Sequence, residues 1–249
     1  LKQTLPNCVG YLAGVEPIPA EVLKLCPNLK VISRNGVGVE NIDLDAAKAL
    51  GIVVERAVGG NARGVAELTI GVMLAGLRQI PWSDKQLKEG SWSRQEGIEV
   101  QGRTLGVIGC GQIGQYVVQM ALGLGMKAIA YDLYPNVNFT PPGDFGFVSL
   151  EALLRQADVI SLHAPPSEKP LIDARAITQM KDGAFLINTA RAGLVDEAAV
   201  LAALDAGKLR GFATDVFDTE PPEVTPLLRH YRVIATPHAG GFTEESIER

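Results

Sequence analysis

Between Thr104 and Gln115 the chain reads Thr-Leu-Gly-Val-Ile-Gly-Cys-Gly-Gln-Ile-Gly-Gln. A short apolar run, Leu105 to Ile108, leads into glycines at 109, 111 and 114, and an amphipathic run from Tyr116 to Leu124 follows. Strand, glycine loop and helix in that order are the context in which a G-x-G-x-x-G pattern carries meaning. Gly109 permits the tight turn, Gly111 lets a pyrophosphate approach the backbone, and Gly114 lets the helix pack closely on the strand. The helix N-terminus then offers unpaired N–H groups and the positive end of its dipole to an anion.

A second strand is expected at Lys127–Asp132. Asp132 closes it, twenty-one residues after Gly111. A carboxylate there accepts hydrogen bonds from a ribose diol and repels a 2′-phosphate. The following Leu133-Tyr134-Pro135 brings no Arg or Lys to hold that phosphate, so the cofactor expected is NAD rather than NADP.

The rest of the chain fits that start. Before residue 60, short apolar runs at Cys8–Ala13, Lys30–Ser33 and Ile52–Glu55 alternate with helical ones at Pro19–Cys26 and Leu44–Leu50, which argues a small parallel sheet. Val65–Leu77 is apolar on nearly every face, as in a helix buried all round between domains or subunits, and Pro81 is expected to end or kink it. Ser83–Glu89 reads as a polar helix. After Asp132, strands at Asp158–His163, Ala184–Asn188, Gly211–Phe217 and Val233–Thr236 alternate with helices at Leu150–Gln156, Ala174–Met180 and Glu197–Ala206. The whole is α/β with a doubly wound parallel sheet, and the Pro/Gly-rich stretch 135–146 is expected to be a surface loop.

Composition narrows the function. The net charge of −5, without a basic stripe, argues against nucleic acid. Three scattered cysteines, Cys8, Cys26 and Cys110, fit a reducing compartment, and no run is apolar and long enough for a membrane span, so a cytoplasmic protein is expected. Three dispersed histidines and no paired cysteines give no metal site.

In doubly wound sheets, ligands sit outside the carboxyl ends of the strands. Arg191, Glu220 and His238 follow three such ends. Arg presents a fork to a substrate carboxylate. His gives or takes a hydroxyl proton near neutral pH, and a neighbouring carboxylate orients its ring and favours the imidazolium. Singly, each has a plainer reading: a strand-end histidine, a capping arginine, a solvated loop acid. Together, beside a dinucleotide loop, they point to 2-keto acid chemistry. His163 is expected to be structural or to line the adenosine side, and His230 to face solvent. Cys110, at a helix start, reads either as a thiol of lowered pKa or as a small buried hydrophobe.

Three segments carry a resemblance: Asn188-Thr-Ala-Arg-Ala-Gly-Leu-Val-Asp-Glu197, Asp215-Val-Phe-Asp-Thr-Glu-Pro-Pro222 and Thr236-Pro-His-Ala-Gly240. They resemble the signatures of the D-isomer-specific 2-hydroxyacid dehydrogenase family. Val31–Gly38 and Gly60–Leu68 are most similar to its D-3-phosphoglycerate dehydrogenases. The resemblance implies two Rossmann-like domains with parallel sheets and the cofactor cleft between them, usually in a homodimer. The implied division is residues 1–64 plus 242–249 for the substrate-binding domain, truncated at both ends, and 65–241 for the NAD-binding domain. It also implies that Arg191 binds carboxylate and carbonyl, that His238 is the acid/base and that Glu220 is its partner. Gly109, Gly111, Gln112, Ile113, Gly114, Asp132, Thr69, Ala190 and Asp215 would line the NAD site. Asn35, Gly36, Val37 and Gly38 would hold the substrate carboxylate, with Arg63 a candidate for a more distant anionic group.

The chain departs from the family at Ala192, where Gly is usual, at Glu40 in place of Asp, and in the shortened loop Pro165–Pro170. The activity implied is reversible hydride transfer between NAD and a small D-2-hydroxy acid, phosphoglycerate dehydrogenase-like, with a hydroxypyruvate or glyoxylate reductase as the alternative. Formate dehydrogenases place Gln where Glu220 stands. A rival of another class is an NAD-sensing protein similar to the C-terminal-binding corepressors, which keep a similar Arg, Glu and His.

Overall fold

The computed structural model describes residues 1–14, 16–34, 36 and 38–248. They form two compact units, Leu1–Asn61 with Gly241–Arg249, and Ala62–Gly240. The divisions fall three residues and one residue before those implied by the motifs, because the helix expected from Val65 already begins at Ala62.

In the first unit, β1 (Gly10–Ala13), α1 (Ala20–Leu23), β2 (Val31–Arg34), α2 (Leu44–Ala49) and β3 (Val53–Arg56) follow in turn. The three strands are parallel in the order β1-β2-β3, with Gly10 opposite Val31 and Val31 opposite Val53. Alternation along β2 buries Ile32 and exposes Ser33. Ile32 packs with Ile18, Val22, Leu23, Ala47 and Ile52 into one core. Asp43 caps α2 by accepting a hydrogen bond from the Ala46 amide at 2.9 Å, which satisfies one of the helix's orphan donors.

The second unit starts with α3 (Ala62–Leu77) and α4 (Ile80–Lys88). Helix α3 packs on α5 (Gln112–Gly123) and on the sheet at β8 (Ala184–Asn188) and β9 (Leu209–Thr214) of its own unit. It is not buried all round: Arg63, Glu67 and Gly71, four residues apart, form an exposed stripe. Pro81 does not kink it either. The break is at Gln79, in the left-handed region at φ 56°, and Pro81 sits in the first turn of α4, where a missing N–H costs nothing.

Between and beyond these lie β4 (Thr104–Ile108), β5 (Lys127–Tyr131), β6 (Phe145–Phe147), α6 (Leu150–Gln156), β7 (Val159–Leu162), α7 (Ala174–Gln179), α8 (Glu197–Asp205), α9 (Pro226–Arg229) and β10 (Val233–Ala235). The seven strands are all parallel, in the order β10-β9-β8-β7-β4-β5-β6. Both faces of this sheet are covered, so its inner strands are apolar throughout, and side-chain alternation sorts them into two cores. Phe185 and Ile187 of β8 join Leu105 and Val107 on the side of α3 and α5. Leu186 joins Ile160 and Leu162 on the side of α6, α7 and α8.

Residues 145 and 146, expected to close the surface loop, instead join Phe147 in β6 and extend the sheet beside β5. Phe139, Phe145 and Phe147 meet edge to face at 5.2 Å between centroids, which fixes this edge. The last helix, α10 (Glu244–Glu248), belongs to the first unit.

Candidate active site

Strand order reverses between β4 and β7, the position where open α/β sheets bind ligands. Gly109 follows β4 there, at φ 92°, a conformation L side chains rarely adopt. A Cβ on it would come within 2.6 Å of the backbone after β7, at His163 and Ala164. A Cβ on Gly114 would lie 2.2 Å from the carbonyl oxygen of Gly109. The first turn of α5 therefore sits directly on the loop, a spacing only glycine allows. Gly111 opens onto free space. Helix α5 begins at Gln112, so the amides of Gln112, Ile113 and Gly114 have no carbonyl within the helix to meet, and no acid stands in that turn.

Asp132 follows β5. One carboxylate oxygen accepts from the Cys110 amide at 2.7 Å and the other from the Tyr134 amide at 2.8 Å. Its position is thus fixed against the glycine loop, with lone pairs left for a diol. Cys110 is buried, and its burial, with Asp132 beside it, pushes the thiol up to about 12. The lowered-pKa reading of Cys110 is wrong: desolvation outweighs the helix terminus.

Arg191 follows β8 on a braced turn. The Asn188 side chain donates to the Arg191 carbonyl at 2.8 Å and accepts from the Ala190 amide at 3.1 Å. The Arg191 guanidinium donates to the Ala190 carbonyl at 2.7 Å. Thr69, buried in α3, donates to Val65 and meets the Thr189 hydroxyl at 2.9 Å, tying helix to strand end beside Ala190.

His238 follows β10. Its Nδ1 lies 2.8 Å from both Oε1 and Oε2 of Glu220. A carboxylate only accepts, so Nδ1 carries the hydrogen and Nε2 is left for chemistry. The ring is 41% exposed and the Glu220 side chain 25%. The Phe217 amide donates to Glu220 Oε1 at 3.2 Å and holds it in place. His238 itself stands in the left-handed region at φ 50°, strain of the kind found at functional sites.

What maintains that turn is Asp215, at the end of β9 and only 2% exposed. One of its oxygens accepts from the Thr236 hydroxyl at 2.5 Å and the Ala239 amide at 2.8 Å, and the other from the Gly240 amide at 2.8 Å. These bonds bracket His238 on both sides. Strand-end position and acidity were visible in the sequence; this bracing was not.

Arg191 and His238 leave strands separated by β9 alone, so about 10 Å of sheet lies between their roots at the ordinary strand spacing. The glycine loop leaves β4, two strands further along on the same edge. One edge of the second unit thus brings together Gly109, Gly111, Gln112, Ile113, Gly114, Asp132, Thr69, Ala190, Arg191, Asp215, Glu220 and His238.

The residues expected at the substrate fall on both units. Asn35 and Val37 lie outside the described residues. Gly36, at φ 138°, and Gly38 belong to the first unit. Arg63 belongs to the second, on the exposed stripe of α3, where its Nε donates to Glu67 at 2.7 Å.

Two histidines complete the picture. His230 is not solvent-facing: its side chain is 13% exposed, it stacks on Tyr231, and its Nδ1 accepts from the Arg232 amide at 3.2 Å. His163 is half-buried beside the glycine loop. Its Nε2 meets Ser161 at 2.8 Å, its Nδ1 has no partner among the described residues, and desolvation pushes its pKa down to about 3.

The model of the family described as D-isomer specific 2-hydroxyacid dehydrogenase, NAD binding domain, matches residues 70–240. A D-3-phosphoglycerate dehydrogenase of Methanocaldococcus jannaschii is 45% identical over 92% of this chain and 45% of its own length. A hydroxypyruvate reductase of Thermotoga maritima is 42% identical over 93% of this chain and 77% of its own. Among solved structures, D-lactate dehydrogenase of Aquifex aeolicus complexed with NAD and lactic acid is 32% identical, with a TM-score of 0.86 over 100% of this chain and 81% of the other. The chain spans less than half the length of the phosphoglycerate dehydrogenases it matches.

Proposed function

The chain belongs to the D-isomer specific 2-hydroxyacid dehydrogenase family and carries its NAD-binding domain, and from that premise we propose that it interconverts a small D-2-hydroxy acid and the 2-keto acid. The observation that carries this reading is the His238–Glu220 pair, braced by Asp215, on the same sheet edge as Arg191 and the glycine loop.

The glycine loop fits NAD. Its first-turn amides have no carbonyl within the helix to meet, Gly111 faces open space, and Asp132 stands at the end of the next strand. Gly109, Gly111, Gln112, Ile113 and Gly114 would hold the pyrophosphate and Asp132 the ribose, with Thr69, Ala190 and Asp215 towards the nicotinamide. Bound NAD would take up or supply the hydride. Arg191 would hold the substrate carboxylate and draw negative charge from the carbonyl oxygen. In reduction, Nε2 of His238 gives that oxygen a proton; in oxidation it removes the proton from the hydroxyl. Glu220 keeps the ring in the required tautomer throughout.

The phosphoglycerate dehydrogenase reading rests on the names of the most similar relatives, and the hydroxypyruvate reductase reading on a relative matched over more of its length. NADH oxidation with phosphohydroxypyruvate, hydroxypyruvate and glyoxylate separates them. Preference for phosphohydroxypyruvate supports the first, preference for hydroxypyruvate or glyoxylate the second, and binding of NADH without turnover of any of them favours the corepressor-like rival.

A homodimer in the cytoplasm is part of the same proposal. Among the described residues no helix is long and apolar enough to cross a membrane.

A further inference from the structure

The second unit has a pocket that this chemistry does not use. It lies at the opposite end of the sheet, where the strands begin. Gly183 precedes β8, Gly207 and Arg210 sit at the start of β9, and Tyr231 and Arg232 precede β10. Gln79, from the joint between α3 and α4, and Gln95 and Glu96 complete the wall around about 340 Å³. That is at the small end of the range of ligand sites, roughly 300–1,000 Å³.

Three features make this more than a dent in a polar surface. First, the half-buried Arg210 guanidinium makes no hydrogen bond or ion pair among the described residues. Second, Arg232 is held in one orientation. Its Nε donates to the Tyr231 hydroxyl at 2.7 Å, its guanidinium lies over the Tyr231 ring at 5.2 Å, and Tyr231 in turn stacks on His230 at 5.0 Å. The terminal nitrogens of Arg232 are left for a ligand, and a fork already held in place loses little entropy on binding. Third, Gln79 occupies the left-handed region at φ 56°, one of only two described non-glycine residues with positive φ; the other is His238. Glu96 is the sole acid in the wall, and it pairs with neither arginine within ion-pair distance.

We propose that this pocket is a second binding site, for a small anion with two or more carboxylate or phosphate oxygens. Arg210 and Arg232 clasp it from two sides and the side-chain amide of Gln95 completes its hydrogen bonding, with the second hydrogen of Gln79 Nε2, whose first goes to the Gly76 carbonyl at 3.2 Å. Guanidinium forks match such oxygens in pairs. The anion would link the α3–α4 joint to the starts of β9 and β10.

The test is calorimetric titration of the intact chain, saturated with NAD so that the glycine loop cannot take the anion. Inorganic phosphate and succinate are titrated separately against a chloride reference. Arg191 also offers carboxylates a place, so binding of phosphate, of succinate or of both supports the site, and identifies its oxyanion, where it persists in Arg191→Gln and is weakened in Arg210→Gln. Arg210→Gln is expected to weaken binding at least about tenfold while NAD affinity, measured on the same sample, is unchanged. Arg232→Gln, on the loop before β10, gives the same reading should the β9 variant misfold. No binding of either anion to the wild-type chain, or equal binding to a folded Arg variant, overturns the proposal.

Discussion

Replacing Gly114 with alanine is a one-carbon change whose outcome the geometry fixes. The new Cβ would stand 2.2 Å from the Gly109 carbonyl oxygen, 3.1 Å from Val107 Cγ1 and 3.2 Å from the Gly109 carbonyl carbon. Carbon and oxygen rest at roughly 3.3–3.5 Å, so about 1 Å of separation must be found. Val107 can turn slightly, but the oxygen is backbone, in a loop held by the Gly109 amide on the Tyr131 carbonyl at 2.8 Å and the Cys110 amide on Asp132 at 2.7 Å. Two effects then compete. Alanine is the better helix former by up to about 1 kcal/mol, less at the third residue of α5 than in mid-helix. Overpacking against rigid backbone costs about 1–3 kcal/mol. The clash wins, by about 1–2 kcal/mol, which is a fall in Tm of roughly 2–8 °C for a unit of this size. The larger effect is on ligand binding. Moving the α5 amides about 1 Å from the loop should weaken NAD binding by about ten- to a hundred-fold, the scale of one lost charge-assisted hydrogen bond of about 1.5–3 kcal/mol. Gly123→Ala is the internal control. It lies at the far end of the same helix with nothing within 4 Å, so it should be neutral or slightly stabilising and leave NAD affinity unchanged. Calorimetric titration of NAD and thermal melts of the three proteins read both effects. Wild-type NAD affinity and Tm in Gly114→Ala would refute the close-packed loop.

Asp215→Asn replaces an acceptor-only group with one that must turn an N–H towards a donor. At least one of the bonds to Thr236, Ala239 or Gly240 is lost, each a charged hydrogen bond of about 1.5–3 kcal/mol, and turnover should fall more than tenfold as His238 loses its bracing; steady-state NADH oxidation checks it, and wild-type kcat would remove Asp215 from that role. Acid sensitivity should trace in part to His163, held at about 3 when folded against 6.5 when free. A depressed folded value gives stability that is complete above the free value and is lost as pH falls below it, so about 2 kcal/mol should disappear between about pH 7 and about pH 5. Urea unfolding at both values should show that loss in the wild type and a much smaller one in His163→Gln.

Much of this was legible in the chain, for reasons that particular residues make plain. The strand-loop-helix signal at 104–124 is local, so its glycines could be assigned roles without coordinates. Ala184–Asn188 was readable to the residue because a strand covered on both faces is apolar throughout. β6 was not readable. Three residues are too few for an alternation to register, and Phe145–Phe147 become a strand only because β5 offers an edge and Phe139 a packing partner. Nor was the break at Gln79, since proline two residues later is the louder signal and is itself compatible with a helix start. At the site, residue type and strand-end position were enough to single out Arg191, Glu220 and His238. The hydrogen bonds that restrict them were hidden, because Asn188 and Asp215 act through turns whose shape is set by three neighbouring strands. Cys110 carried two readings, and burial decides for the small buried hydrophobe, because a helix terminus lowers a thiol's pKa only where desolvation does not outweigh it.

The whole account turns on His238 as the group that moves the proton. Single-turnover oxidation of prebound NADH by the preferred 2-keto acid, in the wild type and in His238→Ala, addresses it directly. The prediction is a fall of about 10²–10⁴-fold in the rate of that step with NADH affinity unchanged, as expected for loss of an acid/base group outside the glycine loop. Equal rates in the two proteins would contradict it.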